Sequence, residues 1–205
     1  RRQRQMCIRD RVWQAWELLS NSIYNCPSES VQQGTHESIF CARPSLDAYQ
    51  VSSWSEMKDY YNPQDVIRAA SLMVSVANDY KGNNNFEYDL IDIVRQAVAE
   101  KGRLVLKVVN AAYEAADKQL FAVSSQRFLN LILLQDQLLA TRPEFKVGFW
   151  IANARNLGTT PAEKDLYEWN ARVQITTWGN RNAADTGGLR DYAHKEWNGI
   201  LKDFY

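Results

Sequence analysis

The sequence predicts an all-α, bundle-like domain, and three observations carry that reading. Apolar residues recur at helical spacing over most of the chain beyond residue 60, helix-start chemistry appears at several points, and no strands alternate with the helical segments. About seven helices joined by short connections and without strands leave a bundle-like array as the architecture.

The first helix is read from Val12, Trp16, Leu19 and Ile23, which repeat at helical spacing beside Trp13, and it ends before Asn25-Cys26-Pro27. Ahead of it, Arg1 to Arg11 has no initiator Met and no apolar period. That stretch reads as a non-native tail of translated adapter sequence, with a basic nucleic-acid arm as the rival, so the domain is expected over 12–205. Residues 26–61 lack the helical period. Asn, Ser, Gly and Pro crowd their first half and aromatics mix with Ser in the second, which predicts an extended, irregular wrap over the helical body.

The second helix announces itself chemically. Asn62 caps the free amides, Pro63 fits the first helical position, and Asp65 places negative charge on the positive helix end; Val66, Ile67, Ala70, Met73, Val74 and Ala77 then keep the period to about Tyr80. Gly82-Asn83-Asn84-Asn85 interrupts it. A longer helix is expected from about Tyr88 to Ala116, with Ile91, Val94, Val98, Val105, Val108 and Ala112 on one stripe. Leu104 to Val109 is β-branched enough for a strand, but its flanks are helix formers and Gly102 is the lone turn signal, so helix prevails. Asp117 caps the next helix, whose apolar face is read as Phe121, Phe128, Leu131, Leu134 and Leu138, ending at Arg142-Pro143. A shorter helix covers Lys146 to Asn156. Thr160-Pro161-Ala162-Glu163 supplies cap, Pro and capping-box Glu together for a helix carried to Trp178, and a final helix is expected from Leu189 to Phe204.

Composition narrows the functional classes. Lys plus Arg (24) equals Asp plus Glu (24), so no net field draws the chain to nucleic acid or to an anionic membrane, and no apolar run is long enough to span a bilayer. Seven Trp and ten Tyr are read either as the rings of a large helical core or as including a few that face a sugar, because aromatic faces pack well on sugar C–H faces. Cys26 and Cys41 either pair or stay as thiols, the thiol reading being favoured. There is no phosphate loop, zinc spacing or nucleophile elbow, and the two His are His36 and His194. No metal or other cofactor is called for. Carboxylates are abundant, yet sequence spacing cannot show which pair would face each other across a glycosidic bond.

The C-terminal stretch carries the most information: Trp169-Asn170-Ala171-Arg172, Ile175-Thr176-Thr177-Trp178-Gly179, then Leu189-Arg190-Asp191-Tyr192-Ala193-His194 with Glu196-Trp197-Asn198-Gly199, closing on Lys202-Asp203-Phe204-Tyr205. Upstream, Tyr24-Asn25-Cys26, Glu37-Ser38, Cys41-Ala42-Arg43-Pro44, Tyr88-Asp89-Leu90-Ile91-Asp92, Leu138-Leu139-Ala140-Thr141 and Glu163-Lys164-Asp165 follow in order. The pattern resembles the C-terminal helical domain of glycoside hydrolase family 89, the α-N-acetylglucosaminidases, over almost everything after Val12.

The resemblance implies an enzyme of three parts, in which a small N-terminal domain and a central barrel precede this helical one. It implies retaining hydrolysis of terminal, non-reducing α-linked N-acetylglucosamine by two barrel Glu residues, so the partners expected are that glycan and the barrel of the same chain. It also implies a polypeptide cut at both ends, with no catalytic residue inside it. Compartment stays open between secretion or periplasm in a bacterium and the lysosome in an animal. Carried over residue by residue, Trp178 and Tyr192 match aromatics of the family's sugar pocket and Leu189 its apolar wall; His194 and Glu37 are weaker substrate-binding candidates. The loop Asn180 to Gly188 departs from the shorter family connection, and Thr177 stands where many members carry Leu. Arg43 is read as a buried ion-pair partner, and Trp150, Trp169 and Trp197 as core. The rival reading is a non-catalytic helical module that binds a carbohydrate or a protein by itself.

Overall fold

The computed structural model describes residues 2–27, 37–43, 45–48, 51, 59–180, 182 and 193–204. Among these, six α-helices make up the body: α1 (Arg2–Ser20), α2 (Pro63–Ser75), α3 (Asn84–Glu114), α4 (Lys118–Leu139), α5 (Val147–Asn156) and α6 (Pro161–Gln174). Short 3-10 turns lie at Ile39–Cys41, Ala77–Tyr80 and Pro143–Phe145. The architecture is all-α. Its one β feature among the described residues is a single parallel bridge between Lys146 and Asn198.

Local chemistry starts the helices where the sequence places it. The Asn62 side chain accepts the Gln64 amide at 3.0 Å ahead of Pro63, and the Asp117 carboxylate accepts the Leu120 amide at 2.9 Å. At α6 the Thr160 hydroxyl accepts the Glu163 amide while Glu163 accepts the Thr160 amide, a complete capping box. The Thr159 hydroxyl, followed by the Thr160 and Thr159 amides, holds the Glu163 carboxyl down to about 2. Two boundaries move. The α3 helix begins four residues early because Asn83 caps the Phe86 amide at 3.1 Å, and α1 runs back to Arg2, with Ile8 packed against the core.

Packing proceeds from neighbour to neighbour, α1 on α2, α2 on α3, α3 on α4, with α5 and α6 paired as a separate hairpin. One cluster lies between α1, α2 and the first half of α3, around Leu19, Val66, Met73 and Ile93. A second gathers Ile39, Phe40 and Cys41 of the wrap with Ala99, Leu139, Phe145 and Leu201. Burial of these apolar side chains is the main driving force holding the wrap to the helices. Cys41 is buried and Cys26 exposed, and no disulfide joins them.

The wrap is anchored by charge as well. Glu100 and Arg103, both buried on α3, bond each other at 2.9 Å; the Tyr61 hydroxyl donates to Glu100, and Arg103 donates to Asp59. Removing one member would strand a buried charge, which is the expensive way to break such a network.

Several expected faces differ. On α4 the buried residues are Ser124, Gln135 and Leu139, while Leu134, expected inside, is half exposed. The core line is partly polar because Gln135 has bonding partners there. On α3, burial against both α2 and α4 takes in Ala97, Glu100, Gly102 and Arg103, a wider band than one stripe. Gly102, read as a turn signal, sits mid-helix, and a Cβ there would overlap the Phe40 ring and come within 3.3 Å of Ile39 Cγ2. The described part of the expected last helix, residues 193–204, is a bridge and turns instead. Asn198 donates its amide to Phe145 O at 2.8 Å and Val147 donates to Asn198 O at 3.1 Å, and Gly199 takes φ of 85°, so the segment joins Phe145–Val147 and continues as turns, with no α-helix over 193–204.

Gly102→Ala is expected to lower the unfolding free energy by about 1–3 kcal/mol, since overpacking must push the Phe40 ring away. Gly148→Ala on α5 meets no atom within 4 Å and is expected to be neutral or stabilising by up to about 1 kcal/mol. Urea unfolding of both variants checks this; equal effects would show that Phe40 does not need the groove.

Candidate functional site

The site brings together four stretches that are far apart in sequence. The C-terminal end of α1 with Tyr24 forms one wall, α3 supplies Asp92, Arg95 and Gln96 as the floor, and Glu37-Ser38 faces Ala193-His194 and Glu196 across the rim. Together they line a cleft of about 760 Å³, within the size range of small-ligand sites.

At its base lies Glu196, a buried carboxylate. Oε1 accepts the Ser38 hydroxyl and the Gln135 amide, the latter at 2.8 Å, and Oε2 lies 3.8 Å from the Arg95 guanidinium. Gln135 spends a second N–H on Arg95 O at 2.8 Å. Arg95 in turn pairs with Asp92 and lies over the Phe145 ring at 5.5 Å. Burial pushes the Glu196 carboxyl above the usual carboxylate range, against the opposing pull of Arg95 and the Ser38 and Gln135 hydrogen bonds. Burial also raises Asp89, with Asp92 adding to it, and raises the Tyr24 phenol, to which Asp92 and Asp89 contribute. On the opposite wall the Tyr60 hydroxyl donates to Ile23 O at 3.0 Å, and burial followed by the nearby Cys26 thiol pushes it up to about 12.

The residue just before Ser38 and the residue two before Glu196 form a second contact. His194 Nδ1 lies 3.1 Å from Glu37 Oε1, both side chains largely buried. The pairs 37–194 and 38–196 thus clasp the final segment to the wrap at two points. The two weaker candidates from the sequence are brought together at one cleft. What sequence reasoning missed is Glu196, Ser38 and Gln135; of these Gln135 carries a local signal, a polar residue following the apolar run Leu131-Ile132-Leu133-Leu134.

The stronger candidates stand elsewhere. Trp178 follows the end of α6, lies 43% exposed, and is not among the described residues lining the cleft. Its amide donates to Val173 O at 2.7 Å, and its φ of 59° is uncommon for so bulky a residue. The expected continuation of α6 to Trp178 stops at Gln174, because Thr176 and Trp178 both donate to Val173 O and turn the chain away. Tyr192 and Leu189 lie outside the described residues, as does most of the loop Asn180 to Gly188. Even so, the stretch that carries them is bracketed by Trp178 and by His194, whose φ is 43°. Non-glycine residues held in the left-handed region cost about 1–3 kcal/mol each and persist where the surroundings over-determine them.

None of the three Trp residues expected in the core is fully buried: Trp150 is 37% exposed, although its indole N–H donates to Ala171 O at 3.1 Å and it packs on the partly buried Trp197 at 6.1 Å, and Trp169 is 62% exposed. Arg43 lies 5.0 Å from the centre of the Phe204 ring. No cluster of metal-ligating side chains occurs among the described residues, and no helix is long and apolar enough to cross a membrane.

The sequence profile described as "Alpha-N-acetylglucosaminidase (NAGLU) C-terminal domain" matches residues 1–205. The chain is 34% identical over 192 residues to human alpha-N-acetylglucosaminidase, covering 93% of this chain and 24% of that protein. It is also similar to a family 89 glycoside hydrolase from Clostridium perfringens solved with its substrate GlcNAc-α-1,4-galactose, at 36% identity and a TM-score of 0.88, covering 95% of this chain and 22% of that one. The same figures hold for the C. perfringens enzyme in complex with PUGNAc. The chain therefore spans about a quarter of the length of these relatives.

The raised Glu196 carboxyl has a defined effect on stability. The folded state holds this proton at pH values where the unfolded chain, near its ordinary 4.5, has released it, so folding loses stability as pH rises from about 4.5 through the raised value. Glu196→Gln removes that titration while keeping an acceptor for Ser38. Wild-type minus variant unfolding free energy, measured by urea from pH 4.5 to 8, should fall with pH; a flat or rising difference would contradict the buried lock.

Proposed function

The chain belongs to the family of α-N-acetylglucosaminidase C-terminal domains, and on that premise we propose that it completes the sugar pocket of a retaining α-N-acetylglucosaminidase acting on terminal, non-reducing α-linked N-acetylglucosamine. The two carboxylates that perform acid catalysis and form the glycosyl-enzyme intermediate belong, on this reading, to a barrel domain elsewhere in the longer polypeptide. This domain supplies binding surface. Trp178 offers a ring face to the pyranoside, Tyr192 a ring and a hydroxyl, and Leu189 an apolar wall.

The observation that carries the proposal is the state of Trp178. A large apolar ring, nearly half exposed and mounted on a left-handed backbone, is an unusual thing to maintain for packing alone, whereas a sugar-facing platform needs that exposure. The clasp at 37–194 and 38–196 supports it from the other side, by fixing the segment that leads out of Tyr192. Among the described residues, the three carboxylates that line the cleft are engaged otherwise: Glu196 accepts two hydrogen bonds, Asp92 pairs with Arg95 within α3, and Glu37 meets His194.

Two outcomes test this. The chain by itself is expected to show no hydrolysis of an aryl α-N-acetylglucosaminide above buffer; turnover abolished by mutating a Glu within it would overturn the assignment of catalysis to another domain. In the full-length protein, Trp178→Ala is expected to reduce kcat/KM tenfold to a hundredfold, about 1–3 kcal/mol of lost contact, with little change in thermal midpoint. Trp197→Ala, which removes the packing on Trp150, is expected to act on the midpoint. Should Trp178→Ala lower stability and leave kcat/KM intact, the ring is a packing residue and the pocket lies elsewhere, as it would for a module that binds carbohydrate or protein by itself.

A further inference from the structure

The cleft between α1, α3 and the wrap carries hydrogen-bonding capacity that the domain does not use itself. Glu37 spends Oε1 on His194, while its Oε2 is buried and has no hydrogen-bond partner among the described residues. Arg95 reaches Asp92 and Glu196 through its terminal nitrogens, and its Nε is likewise buried without a partner. Buried polar atoms are nearly always bonded, so an acceptor and a donor left over on two residues of one cleft call for a ligand that offers both, as a sugar hydroxyl does. Ring surface accompanies them. Tyr24, 60% exposed and stacked on Trp16 at 6.5 Å, lines the cleft together with Tyr60. Water would need the polar atoms alone, whereas a pyranose also packs its C–H face on a ring.

The charge of the cleft is one-sided. Glu37, Asp92 and Glu196 line it against one guanidinium, that of Arg95, which is spent on Asp92 and Glu196. Asp89 lies within electrostatic reach of Asp92 and adds to the same field. Lys195 is engaged with the Trp197 ring at 5.7 Å and does not line the cleft. A carboxylate or sulfate brought here meets like charge in a setting partly shielded from water, where repulsion is weakly screened. A neutral sugar meets no such penalty.

We propose that this cleft is the subsite for the sugar to which the terminal N-acetylglucosamine is attached, and that Glu37 and Asp92 make it select a neutral, hydroxyl-bearing sugar over a uronic acid or a sulfated one. This rests on the functional reading above, which assigns the terminal sugar to Tyr192. The cleft's rim begins at Ala193, the next residue, so the neighbouring unit of the glycan is the one within reach. Glu37 Oε2 accepts a hydroxyl of that second sugar. Discrimination then works chiefly by penalising the wrong partner through the charge it would face.

The test compares kcat/KM of the full-length protein on GlcNAc-α-1,4-galactose, on GlcNAc-α-1,4-glucuronate and on an aryl α-N-acetylglucosaminide, which has no second sugar. The wild-type protein is expected to favour the galactoside over the glucuronide by more than tenfold; a ratio of tenfold or less overturns the proposal, and needs no variant. Glu37→Gln keeps the shape and removes the charge, so it is expected to narrow that ratio threefold or more while the aryl substrate stays within twofold. A ratio that moves by less than threefold overturns the proposal, as does an equal loss on all three substrates with a lower thermal midpoint, because Glu37 then serves only to hold His194. Turnover without discrimination sinks the subsite alone, whereas no turnover of any of the three by the wild-type protein sinks the functional reading and the subsite with it.

Discussion

The buried carboxylate of Glu196 is the interaction on which the arrangement of this domain depends. Three parts of the chain far apart in sequence meet on it: Ser38 from the wrap, Gln135 from α4, and Arg95 from α3. A buried carboxylate is costly unless its lone pairs are occupied, so the wrap and both long helices are obliged to come to it in register. Hydrophobic burial of Ile39, Phe40 and Leu201 brings the same parts together, but apolar contact is tolerant of small slips and a hydrogen-bonded carboxylate is not. The division of labour is therefore between a core that supplies stability and a polar lock that fixes geometry.

That fixed geometry reaches the functional end through a short stretch of backbone. Glu196 and His194 are two residues apart, and His194 is two residues past Tyr192, so the wrap holds the segment close to the proposed sugar-facing residue. Trp178 lies at the other end in sequence of the stretch that leads to His194, held by the hydrogen bond to Val173 O. The Clostridium perfringens relative is solved with GlcNAc-α-1,4-galactose and with PUGNAc, and on the proposed reading an aromatic platform is this domain's contribution to such a site.

What was legible in the sequence divides along physical lines. Capping at Asn62, Asp117 and Thr160 with Glu163 is chemistry within four residues, and the structure carries each cap where the sequence places it. The pairing of Glu37 with His194 spans 157 positions, and no local signal encodes it. Between these extremes, periodicity misled where two rules give one pattern. Trp197, Ile200, Leu201 and Phe204 have helical spacing, yet Ile200 and Leu201 are buried from turns, because Asn198 and Gly199 are drawn to Phe145, Val147 and Asp136. Gly102 looked like punctuation and is a groove for a ring. Trp169 fell on a helical stripe and faces outward, since periodicity reports that a face is apolar without saying which body covers it.

A thermodynamic cycle between Ser38→Ala and Glu196→Gln, read from unfolding free energies of the single and double variants, tests the polar lock most directly. The account predicts a coupling of about 1 kcal/mol or more, as for partners in one buried network. Additivity within about 0.5 kcal/mol would show that the two residues do not act together, and that the final segment is held by apolar packing alone.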